Sequence, residues 1–411
     1  MRLPSVNFDL KLGRRSGVDV VGLDIQPGFV AAVKARVNGS ILTERAAVRP
    51  LAADAVRDGE VADEATLTET LRELFAESGL GKRVRVGVAN QRTVLRTIEL
   101  PPITEEKELA AAVQFQAQEQ VPMPLNNAVL DFQPLGIVDT PAGPRQRVVL
   151  VAAQRDMVER LLAAVRGAGL TPLGVDLAAF ALIRSLYRAN AEQDGRVLYL
   201  NVDGLTNLAI AEGTTCRFTR VLGGGLEGIA SEVAVRRGIP IGEARELVGH
   251  IDLTASVAVP EPEPAPQPEP LVDEQAEEDD GTPQSAEEHE AAELAMSYEE
   301  MTALDSEPAA GEASSDADVR EVLEAGIREI AAEVRNSIDF HRSQDGGGEV
   351  SRIVLSGAAQ GIPGFGEALR TALGVEVESP AVGVVDERIH ETVSTHRLAI
   401  AAGLAASEAP Q

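Results

Sequence analysis

Tryptophan is absent from the 411-residue sequence, and aromatic residues make up only 3% of it. So sparse a set of rings argues against a stacking platform for single-stranded nucleic acid. Basic residues are also in deficit: 37 Lys and Arg stand against 65 Asp and Glu, for a formal net charge of −28. That balance argues against non-specific binding to nucleic acid or anionic lipid, and no nucleic-acid partner is expected. The single cysteine, Cys216, has no partner for an intramolecular disulfide, which fits a reducing compartment. No apolar run approaches the ~18 residues of a spanning helix. The first residues lack the apolar core of a signal peptide. The five histidines, His250, His289, His341, His390 and His396, show no metal-ligand spacing. No Ser/His/Asp or Cys/His set stands out. The expectation is a soluble cytoplasmic protein with no catalytic centre of these kinds.

Apolar residues make up 44%, enough for sizeable cores, and the length suggests two to four domains at ~100–200 residues each. The acidity is local. Residues 256–318 hold 20 Asp and Glu and no Lys or Arg, which leaves only −8 on the rest of the chain. This stretch opens with PEPEPAPQPEP, which favours extended polyproline II. Like-charge repulsion and few apolar residues predict a disordered tether. MSYEEMTALD, residues 296–305, is the one segment in it with Tyr, Met and Leu together. A short, mildly basic tail, residues 1–16, precedes the first strand.

Alternation predicts strands at 18–25, 29–37 and 41–48, the first two joined by Gln26-Pro27-Gly28. Asp63 is placed to cap a helix with Leu67, Leu71, Leu74 and Phe75 on one face, ended by Gly79. Strands at 83–89 and 93–100 come next. Thr104 is then expected to cap a helix with Leu109, Ala112, Val113 and Ala117 inward and Phe115 on the flank, ended by Pro122 and Pro124. Strands at 128–137 and 147–153 precede a helix facing inward through Val158, Leu161, Leu162 and Val165. The second half has strands at 197–202, 207–212 and 216–222. A helix with Ile229, Val233 and Val235 comes after them. Asp318 is expected to cap a long helix bearing Val322, Ile327, Ile330, Val334, Ile338 and Phe340, with a short strand at 353–355 after it. Mixed strands and helices in this order predict α/β sheets with hairpins, not a pure doubly wound sheet.

The two halves begin alike. Asp24–Val30 aligns without gaps on Asn201–Asn207, each a buried strand, a tight turn and a second apolar strand. In a bilobal nucleotide-binding fold two such hairpins face one cleft and offer turn N–H groups to phosphates. On pattern alone, two ordinary hairpins fit equally well.

Three blocks carry a resemblance. They are GKRVRVGVANQRTVLRTIELPPITEEKELAAAVQFQAQEQVPMPLNNAVLDFQPLG, VLVAAQRDMVERLLAAVRGAGLTPLGVDLAAFAL and VRNSIDFHRSQDGGGEVSRIVLSGAAQGIPGFGEAL. With VGLDI ahead of them they resemble the PilM family of type IV pilus assembly proteins, from about Gly17 to Ala406 apart from the acidic stretch. The resemblance implies a bilobal, actin-like (ribonuclease H-like) α/β fold related to FtsA. A small IC subdomain is expected at about 88–168, with IA around it, IIA and IIB beyond 196, and the tether as an insertion in IIB. It also implies a peripheral place on the cytoplasmic face of the inner membrane without direct insertion. The implied partner is the N-terminal cytoplasmic peptide of a PilN-like membrane protein, seated between IA and IC, with the pilus motor ATPases as further partners. Phe115 is then a candidate apolar anchor for that peptide. Glu119 and Asp131 are placed to meet a basic peptide residue, although solvated charge explains them as well.

The family's cofactor is ATP with Mg²⁺, and here the sequence departs. The first phosphate loop of the family reads Asp-Ile-Gly-Ser-x-Ser-Val-Lys; this chain has Asp24-Ile25-Gln26-Pro27-Gly28-Phe29-Val30-Ala31. Gln26 replaces the glycine that lets backbone approach closely, and Pro27 has no N–H. In the second loop Asn201 replaces a carboxylate, Asp203 adds negative charge, and Gly204 and Thr206 come after it. In the adenosine segment Gly357 is the glycine that remains, and it is expected on the wall of the cleft. The expectation is a degenerate cleft with no bound cofactor, in a non-catalytic scaffold of a pilus or related competence apparatus. Two alternatives stay open: an ATPase or kinase on the same fold, and an FtsA-like division protein. The terminal LAASEAPQ lacks the basic amphipathic helix expected of the latter.

Overall fold

The computed structural model describes residues 20–188, 195–255, 310–344 and 346–406. The tail at 1–16 and most of the acidic stretch, including 296–305, lie outside them. The chain divides into two units, a smaller one at 255–319 and a larger one that holds the described sheets.

Two sheets of the larger unit are built to one plan. In the first, β1 (Val21–Gln26), β2 (Phe29–Val37) and β3 (Ile41–Pro50) form an antiparallel meander. A tight hairpin, β4 (Val56–Arg57) and β5 (Glu60–Val61), turns at Asp58-Gly59 and leads into helix α1 (Glu64–Ser78). The chain then returns as β6 (Arg83–Val88), parallel to β1. In the second, β11 (Arg196–Val202), β12 (Thr206–Glu212) and β13 (Thr215–Leu222) repeat the meander, and β14 (Val350–Ser356) returns parallel to β11. Helix α1 forms where expected. Asp63 Oδ1 accepts from the Ala65 and Thr66 amides, Leu67, Leu71, Leu74 and Phe75 are buried, and Gly79 closes it in the left-handed region.

Between the two in chain order comes a small third sheet, ordered β7 (Val94–Leu100), β9 (Gly143–Gln154), β8 (Ala128–Thr140). Helix α2 (Glu106–Gln120) covers one face of it. Ile98, Leu100, Leu109, Val113, Ala117, Val148 and Leu150 make a separate core there. Each large apolar side chain among them, fully buried, stabilises by roughly 1.5–3 kcal/mol. This unit is narrower than the 88–168 stretch expected for it. Val88 ends β6, and helix α3 (Arg155–Gly167) turns its buried face to the large core instead. Helix α2 starts one residue later than expected: Glu105, not Thr104, is its cap and makes no side-chain cap bond.

β10 (Thr171–Leu177) adds to the free edge of β6 and runs into helix α4 (Ala178–Leu186). The second lobe carries α5 (Gly225–Arg237), α6 (Ile241–His250) and the long helix α7 (Ala310–Ser343). That helix begins at Ala310, ahead of Asp318, so the last residues assigned to the tether are helical. Two inward expectations fail for one reason. Val235 is 84% exposed and Phe340 55% exposed. Each lies off the buried stripe, Val235 two positions after Val233 and Phe340 one before the buried His341, so it is turned about 200° or 100° away round the helix. After β14 come α8 (Phe365–Leu373), β15 (Glu376–Glu378), β16 (Gly383–Val384), α9 (Ile389–Thr392) and α10 (Ala399–Ala405).

Helices α4 and α10 cross at backbone distance. A Cβ on Gly403 would stand 1.9 Å from the Ala181 carbonyl oxygen, so only glycine fits. Arg184, on α4, pairs with the buried Asp176 and donates to the Gly403 carbonyl at 3.1 Å. This ties β10, α4 and α10 together in the first lobe.

Candidate functional site

The turns of the two hairpins meet. The ungapped equivalence of the halves does not survive, because the turns differ in length. Gln26 pairs with Phe29 around the two residues Pro27-Gly28, whereas Val202 pairs with Thr206 around three, Asp203-Gly204-Leu205. The longer turn is closed by Asp203 N–H donating to the Leu205 carbonyl at 3.1 Å. Gly204 is pressed on the first turn: a Cβ there would lie 2.2 Å from the Pro27 oxygen.

Gln26 fills the junction. Its Oε1 accepts from the Leu205 N–H at 3.3 Å, and its Nε2 donates to Asp24 Oδ2 at 2.8 Å. Asp203 Oδ2 accepts from the Ala358 N–H at 3.0 Å, and Arg397 lies 3.3 Å from Asp203 Oδ1. The Arg397 guanidinium also sits 4.7 Å over the ring of Phe29. Asp24 and Asp203 are 3% and 2% exposed. Burial pushes Asp24 up to about 7, against the Gln26 hydrogen bond, with the nearby Asp203 charge adding to the rise. Burial pushes Asp203 up to about 6, held lower than Asp24 chiefly by Arg397.

A cavity of about 330 Å³ opens beside the turns. Pro27, Gly28, Asp203 and Gly204 line one side of it. Glu227 and Arg245 line another, joined by two hydrogen bonds of 2.8 and 2.5 Å. Ala358, His396 and Arg397 close the third.

Of the residues singled out in the sequence, Pro27, Gly28, Asp203 and Gly204 reach this cavity. Asp24, Gln26, Asn201 and Thr206 lie behind it, buried in the strand ends. Gly357 was expected on the wall; its neighbour Ala358 stands there instead. The Gly357 N–H donates to the His396 carbonyl at 3.1 Å, and at φ +90° it packs on the Val202 backbone. Asn201 Oδ1 accepts from Ser356 Oγ at 2.9 Å, while Asn201 Nδ2 and the Thr206 hydroxyl have no partner among the described residues. Sequence reading missed Glu227, Arg245 and Arg397. They come from three separate elements, and no spacing links them to the hairpins.

Phe115 and Glu119 belong to a different surface. Both are exposed on α2, Phe115 by 68%, on the side away from Leu109, Val113 and Ala117. Among the described residues no helix is long and apolar enough to cross a membrane, and no His/Cys/Asp/Glu group is arranged to hold a metal ion.

A solved PilM–PilN type IV pilus biogenesis complex is similar to this chain at 24% identity, covering 94% of this chain and 98% of the other with a TM-score of 0.67. The ethanolamine utilization protein EutJ from Carboxydothermus hydrogenoformans is similar at 17% identity, covering 94% and 88%, with a TM-score of 0.46. An MreB of Spiroplasma citri bound to AMPPNP is similar at 12% identity, covering 93% and 94%, with a TM-score of 0.43. The fold is the bilobal actin-like α/β fold. Residues 22–245, more than half of the sequence, match the family described as type IV pilus assembly protein PilM, and the chain belongs to that family.

Proposed function

We propose that this chain is a non-catalytic scaffold of type IV pilus assembly that binds the N-terminal cytoplasmic peptide of a PilN-like inner-membrane protein. Membership of the pilus assembly family supports the setting, and a relative solved together with PilN supports the partner. The observation that carries the non-catalytic part is the Gln26 side chain between the two turns. A phosphate cradled there needs free backbone donors. Here the Leu205 N–H is taken by Gln26, the Ala358 N–H by Asp203, and Pro27 has none. The buried Asp203 carboxylate on the cavity wall adds repulsion toward any phosphate. The residues present therefore do not fit a Mg²⁺-bound triphosphate.

The peptide site is a different surface. On α2 Phe115 offers an exposed ring, and the small sheet beside it has free edges at β7 and β8. An extended peptide gains backbone hydrogen bonds along a strand edge and buries side chains beside a helix. Through the peptide the chain is held at the cytoplasmic face of the inner membrane without inserting into it.

Calorimetric titration with a peptide of the PilN N-terminal segment tests the reading. Saturable 1:1 binding is expected; no heat from the folded protein overturns the partner assignment.

A further inference from the structure

A second cavity, of about 470 Å³, lies between the lobes away from the hairpin turns. From the first lobe it is lined by Asn90, Gln91 and Thr93 of the loop before β7, by Leu177 at the end of β10 and by Ala179 on α4. From the second come Asn207 on β12, Thr219–Gly223 at the end of β13, and Glu329 and Glu333 on α7. The proposed function uses none of these residues.

Its chemistry is specific. Arg220 is already engaged, its Nη2 2.8 Å from Glu333 Oε2 and its Nη1 donating to Ser337 Oγ at 3.2 Å. Glu329 has no ion pair among the described residues. The ionised lining thus carries a net negative charge, which disfavours phosphates and other anions. Asn207 is 2% exposed, and its amide Nδ2 has no partner among the described residues. The Thr93 hydroxyl likewise has none among them. An unmatched buried donor costs roughly 1–3 kcal/mol, so a ligand that offers a carbonyl to Asn207 recovers that penalty. The space is of the size of small-ligand pockets, ~300–1,000 Å³.

We propose that this pocket is a binding site for an arginine or lysine residue of a partner chain, with the cation on Glu329 and a backbone carbonyl on Asn207. Arginine suits it better, since a guanidinium presents a planar fork of donors to a carboxylate. Because both lobes line the pocket, an occupant bridges them and favours the arrangement in which they meet.

The probe is L-argininamide, which carries a guanidinium and an amide carbonyl, with the neutral L-citrullinamide as control. The readout is the side-chain amide resonances of Asn207 and Gln91 in the full chain. A saturable shift with Kd of about 1 mM is expected for L-argininamide. Glu329→Gln, on an exposed helical position, is expected to weaken it tenfold or more while the spectrum stays folded. L-citrullinamide is expected to bind at least tenfold more weakly. Absence of a saturable shift, equal affinity in Glu329→Gln, or equal binding of the neutral control each overturns the proposal.

Discussion

The Leu205 N–H donates to Gln26 Oε1 across 3.3 Å, joining two hairpins that are 179 residues apart in sequence. That bond occupies the donor a phosphate would need. Mg-ATP is therefore expected to bind more weakly than about 0.1 mM, or about −5.5 kcal/mol. Calorimetry checks this, and a micromolar Kd would show that the turns open to admit the nucleotide.

The same glutamine is a structural bridge. Gln26→Ala removes both of its bonds and leaves the Leu205 amide and the Asp24 carboxyl buried and unpaired. A loss of roughly 1–3 kcal/mol is expected for one such group. Denaturant unfolding should show a lower midpoint. An unchanged midpoint would mean that water takes over the bridge.

Asp24 sets a pH dependence with a definite sign. Its carboxyl is pushed from 3.8 up to about 7 by burial. The folded state therefore holds its proton more tightly than the unfolded chain. The stabilisation is fully present below the unfolded value and is lost as pH rises through about 7. Asp203, raised to about 6, acts in the same direction. Asp24→Asn keeps the acceptor for Gln26 and removes the charge. It is expected to stabilise by on the order of 1–3 kcal/mol at about pH 8 and by little at about pH 4. Melting curves of the two proteins across that range should diverge upward with pH. Parallel curves would mean that Asp24 is solvated in the folded state.

Much of this junction was legible in the sequence, and the limits have physical causes. The hairpins showed as apolar runs broken by Pro27-Gly28 and Asp203-Gly204, because turn residues have strong backbone preferences. The α1 cap at Asp63 and its Gly79 end were legible for the same reason. The one-residue difference between the turns was not, since it depends on a bond from Asp203 to Leu205 within the loop. β10 was hidden by Pro172 and Gly174, which interrupt its run and coincide with a register shift against β6. Helices α4 and α10 are rich in alanine and buried nearly all round, so no periodic stripe marks them. Arg397 owes its role to a contact with Asp203 that local pattern does not encode.

Gly204 tests the contact between the turns. A methyl group there meets the Pro27 carbonyl oxygen at 2.2 Å, a backbone atom that has no side-chain freedom to move aside. Gly204→Ala should separate the turns and break the Leu205–Gln26 bond. A lower melting temperature is expected, with faster amide exchange at Leu205. A matched surface change, Gly81→Ala, meets nothing within 4 Å and, like Gly204, has no left-handed φ, so it reports the added methyl group alone. Equal losses in the two variants would remove the contact from the explanation.

Phe115 is the sharpest test of the partner surface. Had its ring been packed inside the small sheet, truncation would act on stability. It is 68% exposed, outside the core made by Leu109, Val113 and Ala117 with Ile98 and Leu150. Phe115→Ala should therefore leave the melting temperature unchanged. If the ring anchors the PilN-type peptide, it becomes buried on binding, and its loss should weaken affinity by about 1–3 kcal/mol. Glu119, one turn further along α2, is exposed as well. Glu119→Gln should matter less, and its effect should fade as salt is raised, as expected for a screened surface charge. Titration of the three folded proteins with one peptide measures both effects. Unchanged affinity in Phe115→Ala would move the peptide site off this face of α2 and onto the strand edges alone.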